Sequence, residues 1–203
     1  PGVTTATGLK LGKIESYKKQ KLKRDDCLII LSSDYKYVFS ADFNPDAVLL
    51  NWLIDLNRKG VIICAICTGA FLLGKAGLLD GIKCTTHWKR TSELQANFPK
   101  AKVQNNIIFT EDKGIYTSAG ANSAIDVALH ILSKLKDDFF THKIARELVV
   151  YQRKTGAESQ HSVYLNYRSH IHSGIHKVQD YLEKNLNQKN MLSDLAEIAN
   201  MSH

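Results

Sequence analysis

The stretch VIICAICTGAFLLGKAGLLD, residues 61–80, decides the fold of this chain. Its first six residues form an apolar run rich in β-branched side chains, which is typical of a buried strand. Residues 68–79 instead repeat apolar side chains at helical spacing. Cys67 stands between the two patterns, and the small residues Gly69 and Ala70 follow it. The stretch therefore predicts a strand that turns sharply into a helix, with a cysteine at the corner.

Strands and helices alternate on both sides of this corner. Asn44 is expected to cap a helix, because Pro45 fits the first helical position. The alternation predicts an α/β protein with a mostly parallel sheet that helices cover on both faces. The expected strands are 27–32, 61–66, 83–87, 103–110 and 114–118, and the expected helices are 44–57, 68–79, 89–97 and 122–136.

The strand pattern disappears beyond residue 139. Residues 140–151 are amphipathic and predict a helix, and residues 175–185 and 191–200 predict two more. Between them, residues 152–174 are polar and rich in His, Ser and Tyr, which is typical of a linker.

The composition excludes several classes of protein. The chain of 203 residues is 44% hydrophobic and 23% charged, as in ordinary globular proteins. No apolar run reaches the roughly 20 residues of a membrane span, and the first residues lack a signal-peptide pattern. Four cysteines are too few for a disulfide scaffold. We therefore expect a cytoplasmic protein that does not contact a membrane.

The formal net charge of +7 does not by itself indicate DNA binding. Residues 1–24 hold seven Lys/Arg residues and one acid, Glu15, so their net charge is +6. Most of this excess lies in residues 18–24, and such a short basic run is more typical of a solvated face or loop than of a DNA-binding stripe.

Cys67 is the candidate functional residue. A side chain at a strand-to-helix corner lies at the carboxyl edge of the sheet, where α/β folds bind ligands. It also lies at a helix N-terminus, whose N–H groups stabilise a thiolate. This is the arrangement of a nucleophile elbow built with sulfur.

Other roles for this cysteine remain open. Cys64, Cys67, Cys84 and His87 have the spacing C-x2-C-x16-C-x2-H, which could ligate zinc, and Cys64 with Cys67 could form a redox pair. Against zinc, Cys64 lies inside an apolar strand rather than an exposed turn. A structural thiol that simply fits the corner is the third alternative.

Three segments together resemble a known family. They are CTGAFLLGKAGLLDGIKCTTHW at 67–88, Phe98-Pro99, and IYTSAGANSAIDVALHIL at 115–132. They are similar to the PfpI-type, glutamine-amidotransferase-like domain, in the branch fused to an AraC-type DNA-binding domain. The resemblance covers most of residues 1–155. It implies a flavodoxin-like three-layer sandwich with the cysteine at the floor of a small-molecule pocket.

The resemblance also implies a set of ligand-binding residues in or near that pocket. His87 and Trp88 could instead pack at a strand end, and residues 117–120 could serve only as a turn into a helix. The implied ligand-binding residues are Ser32, Ser33, Cys67, Thr68, His87, Trp88, Thr117, Ser118 and Gly120.

Departures from the hydrolytic members favour binding over catalysis by Cys67. Thr68 stands where those members have a histidine, the nearest potential base. Ser32-Ser33-Asp34 replaces a Gly-Gly pair that supplies oxyanion N–H groups in many relatives. We expect the family's first strand and helix to be absent, since residue 1 aligns after them.

The C-terminal residues resemble another known unit. SDLAEIANMS, residues 193–202, is similar to the first helix and turn of an AraC-type helix-turn-helix, and residues 176–186 are similar to its leading helix. In this resemblance Ser193, Ala196, Asn200 and Ser202 support the DNA-binding unit rather than read bases. The recognition helix is expected after His203, so we expect a piece of a longer regulator; an unrelated pair of amphipathic helices is the alternative.

The sequence thus predicts part of a bacterial transcription regulator. Residues 1–155 would be the ligand-sensing domain, 156–174 a linker and 175–203 the truncated start of the helix-turn-helix domain. The expected partners are a small-molecule effector, DNA through the complete C-terminal domain, and a second copy in a homodimer. We expect no cofactor and no metal. The alternative function is a PfpI-like cysteine-dependent hydrolase or hydratase.

Overall fold

The computed structural model describes residues 2–5, 8–150, 154–160 and 171–202. The chain forms two compact units, residues 1–160 and 161–203. The strands of the first unit are β1 (Val3–Thr4), β2 (Lys10–Leu11), β3 (Cys27–Ile30), β4 (Ile62–Ile66), β5 (Lys83–Cys84), β6 (Lys102–Val103), β7 (Phe109–Asp112) and β8 (Ile115–Ser118). Its α-helices are α1 (Tyr35–Val38), α2 (Ala47–Arg58), α3 (Gly69–Lys75), α4 (Thr91–Asn97), α5 (Ala121–Leu135) and α6 (Asp138–Glu147).

The central sheet has the strand order β3-β4-β8-β7. Strands β3, β4 and β8 are parallel, and β7 is antiparallel to β8. The β7–β8 turn consists of Lys113 and Gly114, both with positive φ (50° and 77°), as a tight hairpin requires. The predicted α/β fold with a mostly parallel sheet is confirmed.

Strand β4 is buried on both faces, which fixes the position of the corner that follows it. On one face Ile63 packs in a cluster with Leu56 of α2 and Leu73 of α3. On the other face Ile66 packs in a cluster with Val127 of α5. Each fully buried aliphatic side chain stabilises the fold by about 1.5–3 kcal/mol. The strand therefore cannot shift without disturbing two clusters.

Three predicted strands are shorter than expected, and the first of them, 27–32, ends at Ile30. Strand 83–87 ends at Cys84, because the Thr85 amide donates to the Thr117 hydroxyl (2.6 Å) instead of continuing the ladder. Strand 103–110 is divided into β6 and β7. Between them the Ile108 amide donates to carbonyl oxygens of residues 156 and 158. Side-chain and distant backbone partners thus replace sheet pairing in this region.

Three predicted helices have different ends, and the helix expected over 140–151 is α6, Asp138–Glu147. The helix expected from Asn44 begins at Ala47, because the Asp46 carboxylate caps it by accepting from the Leu49 amide (2.7 Å). The helix expected over 68–79 ends at Lys75, since the chain reverses at Gly77 with φ 71°.

An apolar groove runs along β3 and α5. Within the described residues β3 is an edge of the sheet; Ile29 on this strand is 48% exposed and Leu31, directly after it, is 71% exposed. The groove has a volume of about 880 Å³. Its apolar lining comes from Cys27, Ile29, Leu31, Cys64, Ile66, Ala124, Val127, Ala128, Ile131, Leu132 and Leu135.

The second unit contains two packed helices, α7 (Ser173–Lys184) and α8 (Leu192–Ala199), close to the expected positions. Gly174 allows the contact, because a Cβ there would lie 2.3 Å from the Ala199 carbonyl oxygen. Asn200 ends α8 with φ 52°, as a turn requires.

The boundary between the two units differs slightly from the expected domain limits. The first unit extends to Gln160, beyond the expected limit at 155. Much of the expected linker, residues 161–170, lies outside the described residues. None of the described helices is both long and apolar enough to cross a membrane.

A carboxylate ties the β7–β8 hairpin to α5. Glu111 accepts hydrogen bonds from the Tyr116 hydroxyl (2.9 Å) and the Lys134 ammonium group (2.5 Å), and its other oxygen lies 2.8 Å from His130 Nε2. Burial raises the pKa of Glu111, but the hydrogen bonds from His130, Lys134 and Tyr116 outweigh it and lower the pKa to about 2.

We expect Glu111→Gln to flatten the pH dependence of stability in acid. The folded-state pKa lies below the ordinary value of 4.5, so the stabilisation from Glu111 is complete above pH 4.5 and is lost as the pH falls towards about 2. Urea unfolding between pH 2.5 and 6 measures the slope. Glu147→Gln, at an exposed position on α6, should keep the wild-type slope; equal slopes for Glu111→Gln and the wild type would contradict the prediction.

Candidate functional site

The corner at Cys67 is held from two sides. Its backbone has φ 52°, a left-handed conformation that costs a non-glycine residue about 1–2 kcal/mol. The Cys67 amide donates to the Ser118 carbonyl at the end of β8 (2.8 Å), and the Thr86 hydroxyl donates to the Cys67 carbonyl (2.8 Å). These two bonds fix the strained residue at the carboxyl edge of the sheet.

Gly69 lets α3 start close to the end of β3. A Cβ at this position would lie 2.9 Å from the Ile30 carbonyl oxygen and 3.2 Å from the Ile30 side chain. Because the nearest atom belongs to the backbone, a larger residue would have to displace either the corner or β3.

Thr68 joins the corner to the loop after β3. Its hydroxyl donates to the Ser33 carbonyl (2.8 Å) and accepts from the Ser33 amide (3.0 Å), and it lies 3.0 Å from the Ser32 hydroxyl. The Ser33 N–H is therefore engaged with a side chain and is not directed at a reacting oxygen. Thr68 positions the loop and supplies no base.

A polar cavity of about 520 Å³ opens beside Cys67 at the carboxyl ends of β3 and β4. This is where α/β sheets bind ligands. Cys67, Ser32 and His87 line both this cavity and the apolar groove, and Gly120 lines the groove. The cavity is lined by Ser32, Ser33, Asp34, Tyr35, Cys67, Thr68, His87, Lys89 and Arg90.

His87 lies at the start of a 3₁₀ turn, Trp88–Arg90. Its Nδ1 accepts from the Lys89 amide (3.3 Å), and its ring stacks on Trp88 with a centroid distance of 5.6 Å. Gly120 sits beside it, because a Cβ there would lie 4.0 Å from the His87 ring. The side chain is half-buried between the cavity and the groove.

Trp88, Thr117 and Ser118 do not line either space around Cys67. Trp88 is 42% exposed. Thr117 is buried, and its hydroxyl binds the Thr85 amide and the Thr110 hydroxyl (2.7 Å). Ser118 acts through its carbonyl, which holds the corner. These residues support the site and do not form its wall.

Sequence reasoning missed the charged residues at the mouth of the cavity. Asp34 caps α1 by accepting from the Lys36 amide (2.7 Å). Arg90 forms an ion pair with Glu93 (2.7 Å), and its guanidinium lies 4.8 Å from the centre of the Tyr35 ring. Their position in the sequence was the available signal, since Asp34 directly follows Ser33 and Arg90 comes two residues after Trp88.

The zinc and redox interpretations find no support. All four cysteines are free thiols. Cys64 belongs to the cluster against α5, whereas Cys84 belongs to the cluster on the opposite face of the sheet. Burial raises the pKa of each of these two thiols to about 12, so neither readily becomes the thiolate that metal binding and redox exchange require.

A mostly parallel sheet with a strained cysteine between a central strand and a helix defines an α/β protein with a cysteine at a nucleophile elbow. Residues 4–134 match the sequence profile of the DJ-1/PfpI family. The chain belongs to this family.

Relatives of the chain include regulators and an enzyme. It is 28% identical over 146 residues to the HTH-type transcriptional regulator GbdR of Pseudomonas aeruginosa, an alignment that covers 71% of this chain and 39% of that protein. It is 33% identical to the isonitrile hydratase of Pseudomonas putida, over 66% of this chain and 54% of the enzyme. The chain therefore spans well under two thirds of the length of these relatives.

A solved structure supports the fold. The AraC family transcriptional regulator from Pseudomonas putida superposes with a TM-score of 0.57 at 21% identity, covering 72% of this chain and 75% of that one.

We expect Gly69→Ala to destabilise the first unit by about 1–3 kcal/mol, because the new methyl group overpacks against the Ile30 carbonyl. Urea unfolding measures the change. Gly12→Ala is the matched control, since nothing lies within 4 Å of a Cβ at Gly12. Equal stability of the two variants would show that the corner tolerates a side chain after Thr68.

Proposed function

We propose that the first unit is the ligand-sensing domain of a bacterial transcription regulator and binds a small metabolite beside Cys67. The observation that carries the proposal is the polar cavity of about 520 Å³ at the carboxyl edge of the sheet. Its size falls within the roughly 300–1,000 Å³ of ordinary small-molecule sites. Asp34 and Lys89 give its lining groups of both charges, which suits a small polar effector, and the family resemblance suggests amino acids or betaines.

The second unit supports a regulatory role. Its two helices carry the sequence that resembles the start of an AraC-type helix-turn-helix, and GbdR is an HTH-type transcriptional regulator. In this proposal Ser193, Ala196, Asn200 and Ser202 shape the DNA-binding unit, and the complete protein binds DNA in the bacterial cytoplasm. A homodimer would pair two such units on two half-sites.

The contacts around Thr68 favour binding without turnover. Catalysis by a cysteine needs a nearby base and donors aimed at the developing oxyanion. Thr68 offers no base, the Nδ1 of His87 already accepts from the Lys89 amide, and the Ser33 N–H is bonded to the Thr68 hydroxyl. An effector in the cavity would thus be held without being converted.

The apolar groove along β3 has a different role in this proposal. An open edge strand with exposed apolar side chains is a site for strand addition. A strand that pairs with β3 would extend the sheet and cover this groove. The effector then occupies the polar cavity and not the groove.

A thermal-shift screen of the complete regulator against amino acids and betaines tests the proposal. A true effector raises Tm, by a stabilisation of about 2.7 kcal/mol at a concentration of 100 Kd. We expect His87→Ala to reduce the shift, because His87 lines the cavity. His142→Ala, at an exposed position on α6, is the matched control. A compound that shifts the wild type and His87→Ala equally would place the binding site elsewhere.

A cysteine-dependent hydratase or hydrolase is the second candidate, favoured by the strained corner at Cys67 and by the likeness to isonitrile hydratase. This function requires steady hydration of an isonitrile by the wild type, and its loss in Cys67→Ala. Mass spectrometry of the product measures turnover. Under the regulator proposal we expect no turnover, and Cys64→Ala serves as the control variant for any activity that is found.

A further inference from the structure

Residues 154–160, here called the return segment, pair with residues 106–109, which lead into β7, at the end of the first unit. The Ile108 amide donates to the carbonyl oxygens of Gly156 (3.1 Å) and Glu158 (3.0 Å), and Ser159 forms a β-bridge with Ile107. Gly156 fits closely here, because a Cβ would lie 2.6 Å from the Phe109 carbonyl oxygen. The segment is therefore anchored by the backbone before it reaches its last residue.

Gln160, the last residue of the first unit, makes three side-chain hydrogen bonds. Its Oε1 accepts from the Trp88 amide (2.8 Å). Its Nε2 donates to the carbonyl oxygens of Thr86 (3.0 Å) and Ile107 (2.8 Å). Two of these three bonds go to the Thr86 carbonyl and the Trp88 amide. The glutamine amide therefore holds the backbone on both sides of His87, a residue that lines the cavity.

The same loop contacts the corner. Thr86, whose carbonyl binds Gln160, donates its hydroxyl to the Cys67 carbonyl. A continuous series of hydrogen bonds thus joins Cys67, Thr86 and Gln160. The second unit follows directly after Gln160 in the chain.

We propose that Gln160 is a positioning residue that couples occupancy of the Cys67 cavity to the end of the first unit. The inference rests on the proposed sensing function. An occupant that contacts His87 orders residues 85–89, and ordered carbonyl and amide groups bind the Gln160 side chain more tightly. Because coupling is reciprocal, fixing Gln160 also favours the occupied cavity. The glutamine amide suits this role, since it donates and accepts at once.

Hydrogen exchange on the full chain tests the coupling without an effector. We expect Gln160→Ala to raise amide exchange in residues 85–90 by about fivefold to tenfold, because two hydrogen bonds to this loop are lost. Glu158→Ala is the matched control from the same segment, since the Glu158 carboxylate accepts hydrogen bonds from the amide (2.8 Å) and the hydroxyl (3.3 Å) of Thr155 within that segment. Unchanged exchange in Gln160→Ala would overturn the proposal.

Iodoacetamide then serves as a covalent occupant at Cys67, with peptide mass spectrometry to confirm the modified residue. Alkylation should slow exchange in residues 154–160 of the wild type and of Glu158→Ala, but not of Gln160→Ala. Gln160→Glu is the second variant: it keeps an acceptor for the Trp88 amide but sets a carboxylate against two carbonyl oxygens, so it should also lose the response. A response in all variants, or in none, would overturn the coupling.

The outcomes separate this inference from the proposed function. Suppose that a metabolite raises Tm less in His87→Ala than in the wild type, but that alkylation changes exchange equally in the wild type and in Gln160→Ala. The sensing function would then stand, and the role of Gln160 would be rejected. If alkylation slows exchange only when Gln160 is present, but no metabolite raises Tm, the coupling would stand and the proposed effector binding would be rejected.

Discussion

The left-handed backbone at Cys67 is the constraint on which the rest of the site depends. A non-glycine residue adopts φ 52° only when its surroundings impose it. Here the Ser118 carbonyl and the Thr86 hydroxyl bind the two backbone polar groups of Cys67, and Gly69 gives α3 room to start against β3. The cavity, the position of His87 and the Gln160 hydrogen bonds on either side of it all depend on this corner.

Buried threonine hydroxyls replace sheet pairing around the corner. Thr117 accepts from the Thr85 amide, and Thr68 binds both backbone groups of Ser33. A buried backbone group without a partner costs about 1–3 kcal/mol, so these hydroxyls allow the chain to leave the ladder where a ligand needs space. The polar groups at this edge of the sheet therefore have a structural role, because they satisfy backbone groups whether or not an effector binds.

Sequence patterns predicted the strands and helices that depend mainly on residues close together in the chain. The apolar run before Cys67 and the helical spacing of α5 indicated their elements correctly. The early end of β5 was not predictable, because it depends on a hydroxyl 32 residues away. Likewise no sequence signal marks Gln160, whose partners lie in two distant loops, and the cap at Asp46 competes with an equally suitable Asn44.

The stacking of Trp88 on His87 gives the site an optical property. The chain has two tryptophans, Trp52 and Trp88. The ring of Trp52 lies 5.0 Å from the ring of Tyr17. Trp88 is exposed, and the Lys89 ammonium group lies 5.1 Å from the centre of its ring. A protonated imidazole quenches indole emission, so with Trp52 replaced by Phe, the tryptophan fluorescence of the protein would come from a single indole that stacks on His87, a residue that lines the cavity.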